Sequence, residues 1–235
     1  MPPWPAAPEQ EFVKPHRTPR VCYVTDRKSL PGTDPGAGVR ETIAAAIQAG
    51  ADWVQIREKD LPARELLALA RAAVAMAGIA RRADAARVLV NDRLDVALAA
   101  GAAGVHLGGE SLALGDVVRW CRSGNAPAQF LAGISCHSLE QAREAERAGA
   151  SYIFFGPIFD TPSKRAFGRP QGVSLLEEVC RAIRLPVIAI GGVNEENAGA
   201  CLRAGAAGIA AIRFFQESRD ITALRQTLAL LHGAG

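Results

Sequence analysis

The sequence predicts a single closed (β/α)8 barrel, a TIM barrel, over residues 21–235, with a proline-rich N-terminal extension at 1–20. Three observations carry that prediction. First, Ala-Gly-Ala recurs at 49–51, 100–102, 148–150 and 204–206, with spacings of 51, 48 and 56 residues, each time one residue ahead of an apolar run: WVQI, GVHL, YIFF and GIAA. Second, further apolar runs at 21–25, 88–91, 130–134 and 187–190 fall between these, so each period holds two strand-plus-helix units and four periods make eight. Third, 235 residues with 49% apolar and 22% charged side chains suit one globular barrel, a fold that spans ~200–250 residues. An open doubly wound sheet is the alternative, and it usually stops at five or six strands.

Each element has a local reason. The eight runs are nearly all apolar, as parallel strands are when helices cover their outer side. Between them, helical stretches are expected at 39–49, 63–78, 93–100, 112–122, 138–148, 174–183, 194–203 and 219–231. Four of these end at the repeated glycine, which suits the left-handed position just past a helix and lets the strand follow at once. Residues 1–20 have no apolar periodicity and are read as an extension, not a domain. The long irregular segments at 26–38 and 158–172 both follow strands, which places them on the barrel face where sites are built.

Composition excludes several function classes. Lys and Arg total 27 and Asp and Glu 24, a net charge of +3, and aromatics are only 6%, so neither bulk charge nor base stacking points to nucleic acid. No apolar stretch reaches the ~18–20 residues of a membrane span, and the N-terminus lacks the pattern of a signal peptide. A soluble cytoplasmic protein is the expectation, with no nucleic-acid or membrane partner. Five scattered cysteines without a C-x-x-C pair read as small hydrophobes in a reducing compartment.

The polar residues gather after the strands. Gln55, Arg57 and Lys59 alternate with Val54, Ile56 and Glu58, and a two-residue period points the first set toward the barrel mouth. Inward cations need an anionic partner, and a forked guanidinium beside a compact ammonium suits a diphosphate. Asn91 and Asp92 close the third strand, opposite that cluster in the ring. A carboxylate beside a diphosphate is favourable when it holds a bridging Mg2+; the structural alternative for Asp92 is the N-cap of the next helix. His106 and His137 end the fourth and fifth strands, and either could exchange protons. Thr161, Ser163, Lys164 and Arg165 form a second anion-binding set after the sixth strand, and Gly191-Gly192 ends the seventh just before Asn194 opens a helix. Backbone N–H groups at that place are the usual phosphate cradle of the fold. Two separate anion sites imply two phosphorylated small molecules, one of which loses diphosphate.

On the strings YVTDR at 23–27, VQIREK at 54–59, VNDRLDVA at 90–97, GVHLG at 104–108, GISCHS at 133–138, FGPIFDTPSK at 155–164 and IAIGGVNEENA at 188–198, the chain resembles the thiamine phosphate synthase and thiazole tautomerase family. The resemblance implies the same barrel and, for the synthase, the coupling of hydroxymethylpyrimidine diphosphate to a thiazole phosphate with release of diphosphate. It implies that Gln55, Arg57, Lys59, Asn91 and Ser135 contact the diphosphate substrate. Asp92 would hold Mg2+, Thr161, Ser163 and Gly192 the thiazole phosphate, and Lys164 would reach the diphosphate as a catalytic group.

Two departures keep three functions open. Where the synthase pattern usually reads Gln-x-Asp after GVHLG, this chain has Gly109, Glu110 and Ser111. A second metal carboxylate is therefore missing unless Glu110 supplies it. Beside the eighth strand, Arg213 and two phenylalanines replace the usual small residues, and Arg213 either strengthens phosphate binding or fills the pocket. Both changes lean toward a metal-independent tautomerase, with His137 as acid and base; a non-catalytic phosphate-binding relative is the third reading. Gln55, Lys59 and Asp92 lean toward the synthase, because an enzyme that handles no diphosphate has little need of them together.

Overall fold

The computed structural model of the chain describes residues 21–31, 34–79, 86–160, 170–218 and 220–233. Eight parallel strands close in sequence order: β1 (Val21–Val24), β2 (Trp53–Ile56), β3 (Arg87–Asn91), β4 (Gly104–Leu107), β5 (Leu131–Cys136), β6 (Tyr152–Phe155), β7 (Val187–Ile190) and β8 (Gly208–Ala211). The helices are α1 (Pro35–Ala49), α2 (Ala63–Ile79), α3 (Leu94–Ala100), α4 (Leu114–Trp120), α5 (Leu139–Arg147), α6 (Gly172–Ala182), α7 (Ala198–Arg203), a short α8 (Arg213–Gln216) and α9 (Ile221–Gly233).

The expected joints are where the sequence puts them. Gly50, Gly101, Gly149 and Gly205 all have positive φ, and the N–H of Gly50 reaches back to Ala46 and Ile47, closing the last helical turn so that the strand can start three residues on. Alternation along the strands sorts the core into two layers. Val21, Tyr23, Val54, Ile56, Val88, Val90, Val105 and Leu107 face the helices. Cys22, Val24, Trp53, Leu89, Leu131, Tyr152, Phe154, Ile188 and Ala210 fill the barrel interior. Truncating one of the latter, such as Leu131→Ala, removes packing on all sides at a typical cost of ~2–5 kcal/mol.

Some boundaries shift for local reasons. α1 starts at Pro35 rather than 39 because the Asp34 carboxylate accepts from the N–H groups of Gly36 and Ala37 at 2.9 and 3.0 Å, with proline at the first helical position. β5 runs two residues past the expected end, so Ser135 lies inside the strand. Asn194 does not open a helix: its side chain accepts from Glu196 and Asn197, a turn that delays α7 to Ala198. The cysteines are unpaired, and burial pushes the Cys136 thiol up to about 12, consistent with packing roles. Among the described residues no helix is long and apolar enough to cross a membrane. The extension at 1–20 lies outside the described residues.

Candidate active site

Interior alternation carries Gln55, Asn91, His106 and Ser135 to the mouth end of β2, β3, β4 and β5. Gln55 is buried and its amide donates to Asn91 Oδ1 at 3.4 Å; the Asn91 amide donates in turn to Asp92 Oδ2 at 2.6 Å. β2 ends at Ile56, so Arg57 and Lys59 stand on the loop beyond it. The Arg57 N–H donates to the buried Thr25 hydroxyl at 2.9 Å, and Lys59 Nζ lies 3.5 Å from Asp92 Oδ2. The expectation that Asp92 stands across the ring from the cations is therefore corrected: β2 and β3 are neighbours, and the carboxylate sits beside Lys59.

Asp92 is not a helix cap either. The residue before α3 is Arg93, without a capping bond, and Asp92 has φ 61°, the one non-glycine residue in the left-handed region among the described residues. That conformation costs an L-residue roughly 1–2 kcal/mol and turns the side chain toward the β4 loop. There Oδ1 accepts from the Gly108 N–H at 3.0 Å and from the Ser111 hydroxyl. Burial raises the Asp92 carboxyl, but Ser111, Gly108 and Lys59 outweigh it and hold it below the usual carboxylate range. The result is an ionised carboxylate with donors on both oxygens.

Glu110, expected as a metal ligand, is exposed. The Gly108 N–H is shared between Asp92 and the Ser111 hydroxyl, at 3.0 and 2.7 Å, and this turn brings residue 111 rather than 110 to Asp92. Among the described residues no group of three or more His, Cys, Asp or Glu side chains could hold a metal.

His106 is 2% exposed, with Nδ1 3.1 Å from the Tyr152 hydroxyl and Nε2 2.9 Å from Ser135 Oγ. Burial, with Asp92 and Arg57 acting in opposite directions, pushes its pKa down to about 3. An unfolded histidine near 6.5 takes up a proton that the folded one refuses, so stability falls as pH drops from 6.5 toward 3. We expect His106→Gln to flatten the pH dependence of urea-unfolding free energy in that window. The limiting difference is about 1.4 kcal/mol per pH unit, and equal slopes would refute it.

His137 is exposed just past β5. Its ring Nδ1 meets the Gly156 carbonyl, which can only accept, so Nδ1 carries the hydrogen and Nε2 is the atom left to take up a proton. The Gln141 side chain accepts from the His137 N–H while the Ser138 hydroxyl accepts from the Gln141 N–H, a cap on α5.

On the β7 side, Gly191 and Gly192 have φ of 95° and 67°. A Cβ on Gly192 would stand 2.7 Å from the Asp160 carbonyl and 2.8 Å from Phe159 Cβ, because the loops after β6 and β7 run side by side through Ile158 N–H to Ile190 O and Phe159 N–H to Gly191 O, both 2.9 Å. Arg213 is exposed at the first position of α8, while Phe215 behind it is buried against Tyr23. Thr161, Ser163 and Lys164 lie outside the described residues.

Sequence reasoning missed one cluster. The buried Glu58 accepts from the Arg27 N–H and guanidinium, and Arg27 also forks onto Asp60 at 2.6 and 2.8 Å. This ties the β1 loop to the β2 loop at Glu58 and Asp60, on either side of Lys59. The signal was the parity of Glu58, opposite to the two cations beside it.

The family described as thiamine monophosphate synthase matches residues 21–215. The chain belongs to that family. A putative thiamine-phosphate synthase of Geobacter sulfurreducens is 44% identical over 194 residues, 82% of this chain and 84% of the relative. The thiamine-phosphate synthase of Roseiflexus castenholzii is 42% identical over 82% of this chain and 78% of its own. A solved thiamine phosphate pyrophosphorylase from Pyrococcus furiosus superposes with a TM-score of 0.77 at 30% identity, covering 93% of this chain and 98% of that one. In this member of the thiamine monophosphate synthase family, Lys59, Asp92, Asn91 and Gln55 form one bonded arc, Ser135 stands beside His106, and Glu110 and Arg213 are exposed.

Proposed function

We propose that the chain joins hydroxymethylpyrimidine diphosphate to a thiazole phosphate, releasing diphosphate and forming thiamine phosphate. The observation that carries the reading is the arc from Lys59 through Asp92 and Asn91 to Gln55. It presents a cation and amide donors around one ionised carboxylate, a setting for a multiply charged anion rather than for a single carboxylate ligand. The bond between the pyrimidine methylene and the diphosphate oxygen breaks, with its electron pair leaving on the diphosphate. Arg57, Lys59 and Ser135 bind the departing oxygens, and Asn91 and Gln55 orient the substrate. The thiazole nitrogen, held at the Gly192 side, supplies the pair for the new carbon–nitrogen bond.

The donors present fit magnesium. Asp92 and the Ser111 hydroxyl are adjacent hard oxygen donors, and Mg2+ is commonly held by one or two carboxylates together with substrate phosphates. Bound there, the ion would neutralise charge on the leaving diphosphate. With one carboxylate, affinity for the free ion is weak. Ser111→Asp is expected to tighten Mg2+ binding to the substrate-free protein ~10-fold or more by calorimetry, since a second charged ligand is added; unchanged binding would show that residue 111 is no ligand.

The reading is tested by measuring diphosphate release from both substrates with and without Mg2+. Well-folded protein that releases none rejects it. A second reading draws on His137, whose Nδ1 contact leaves Nε2 free for proton transfer. It expects isomerisation of a thiazole carboxylate phosphate without metal, abolished in His137→Ala.

A further inference from the structure

The buried His106 and Tyr152 and the half-buried Ser135 form a line that the charges at the mouth do not explain. Tyr152 opens β6 and His106 lies on β4, so the phenol must cross β5. It does so over Gly133, which is in register with both residues and where a Cβ would overlap the phenol ring. Phe154 packs on the imidazole with centroids 4.2 Å apart, and Trp53 packs on the phenol at 4.6 Å. A glycine that clears the way for one hydroxyl, together with aromatic walls that fix both rings, makes this a built connection.

Its hydrogens can be assigned. A neutral imidazole has one donor and one acceptor. If Nδ1 carried the hydrogen, Ser135 would spend its own hydrogen on Nε2, and the Tyr152 hydroxyl hydrogen would be stranded, since Nδ1 is its partner among the described residues. If instead Tyr152 donates to Nδ1, Nε2–H donates to Ser135 and only lone pairs go unused. A stranded buried donor biases the choice by ~10-fold or more. Burial keeps the phenol protonated, well above its ordinary range, and the imidazole neutral, so the pattern persists at working pH.

We propose that His106, oriented by Tyr152, is a positioning residue that fixes the Ser135 hydroxyl as a hydrogen-bond donor toward the diphosphate of the bound substrate. This rests on the functional reading above. With its lone pair occupied from inside the barrel, Ser135 has its hydrogen available only toward the mouth. A hydrogen bond donated to an anion corresponds to ~10- to 100-fold in affinity.

The test has two arms on the full chain. Long-range 1H–15N spectra show which ring nitrogen carries hydrogen, with the His106→Gln spectrum identifying the His106 signal among the four histidines. The expected form is Nε2–H. Calorimetric titration with inorganic diphosphate in magnesium buffer then measures binding. Ser135→Ala and His106→Leu should each weaken it ~10-fold, and the double variant should be no weaker than Ser135→Ala alone, because His106 acts through Ser135. His106→Gln, whose amide can accept from Tyr152 and donate to Ser135, should stay within ~3-fold of wild type. An Nδ1–H tautomer, or additive losses, would overturn the proposal. If His106→Leu does not fold, the tautomer and the His106→Gln titration decide it. Nε2–H with no diphosphate binding sinks the functional reading and not the polarity of Ser135; binding with Nδ1–H does the reverse.

Discussion

Asp92→Asn is expected to lower kcat/KM for diphosphate release by on the order of 10²- to 10³-fold, the usual cost of losing one preorganised electrostatic group at a reacting centre. Asparagine is chosen because it tolerates φ near +61° as aspartate does, so the backbone is not what changes. The polar pairing is. Asp92 accepts from Asn91 and sits against Lys59 with one oxygen, and accepts from Gly108 and Ser111 with the other. An amide offers a single acceptor. Whichever way it turns, an N–H faces either Asn91 and Lys59 or the Gly108 N–H, and Lys59 loses its counter-ion.

Stability should change little, because Lys59 and Asp92 retain 53% and 28% side-chain exposure, and an ion pair in contact with water contributes ~0–1 kcal/mol. The expected signature is an unchanged Tm with a large loss of turnover, while KM for the thiazole phosphate moves only a few-fold. A kcat/KM within tenfold of wild type would remove Asp92 from the centre of the reaction. The carboxylate is held below the usual range, so it stays charged as pH falls to where an ordinary aspartate starts to protonate.

How much of this could be read from residues alone depends on whether the cause is local. The four Ala-Gly-Ala joints were legible because a left-handed glycine and an apolar run are written in adjacent letters, and with them came strand number, order and inward parity. Gln55 followed from parity, and Asn91 from its place at the end of the third strand. The start of α1 was placed at 39 rather than at Pro35, because its cap and proline lie inside a stretch that otherwise reads as loop. What could not be read depends on how neighbouring strands align. Asp92 was assigned across from Lys59 although the strand order already makes β2 and β3 neighbours; their pairing brings the carboxylate beside the ammonium. Glu110 rather than Ser111 was expected at Asp92 by charge, and the decision came from a turn closed by one shared N–H of Gly108. His106 looked like a lone histidine on a packed strand, and its partners are 29 and 46 residues away.

The β7 side gives the second large effect. Gly192→Ala should destabilise the protein and loosen phosphate binding together. Two penalties act at once. A left-handed φ of 67° costs alanine roughly 1–2 kcal/mol. The new methyl would also meet the Asp160 carbonyl at 2.7 Å and Phe159 Cβ at 2.8 Å, and overpacking of this kind typically costs ~1–3 kcal/mol. The first obstacle is backbone, so no side-chain rotation relieves it; the loop after β6 must move away. That loop is hydrogen-bonded to Ile190 and Gly191 and leads directly into Thr161, so displacing it disturbs the chain on both sides of the proposed phosphate. A total of ~2–5 kcal/mol corresponds to a Tm lower by about 5–15 °C for a chain of this size. Inorganic phosphate, which should raise the melting temperature of the wild type by binding the native state, should raise that of the variant far less. Gly78→Ala is the control: it lies in α2, has no heavy atom within 4 Å of the added Cβ, and should shift stability by less than ~1 kcal/mol, toward higher stability. If both alanines melt alike and respond alike to phosphate, the close approach at Gly192 is not what holds the phosphate end of the site.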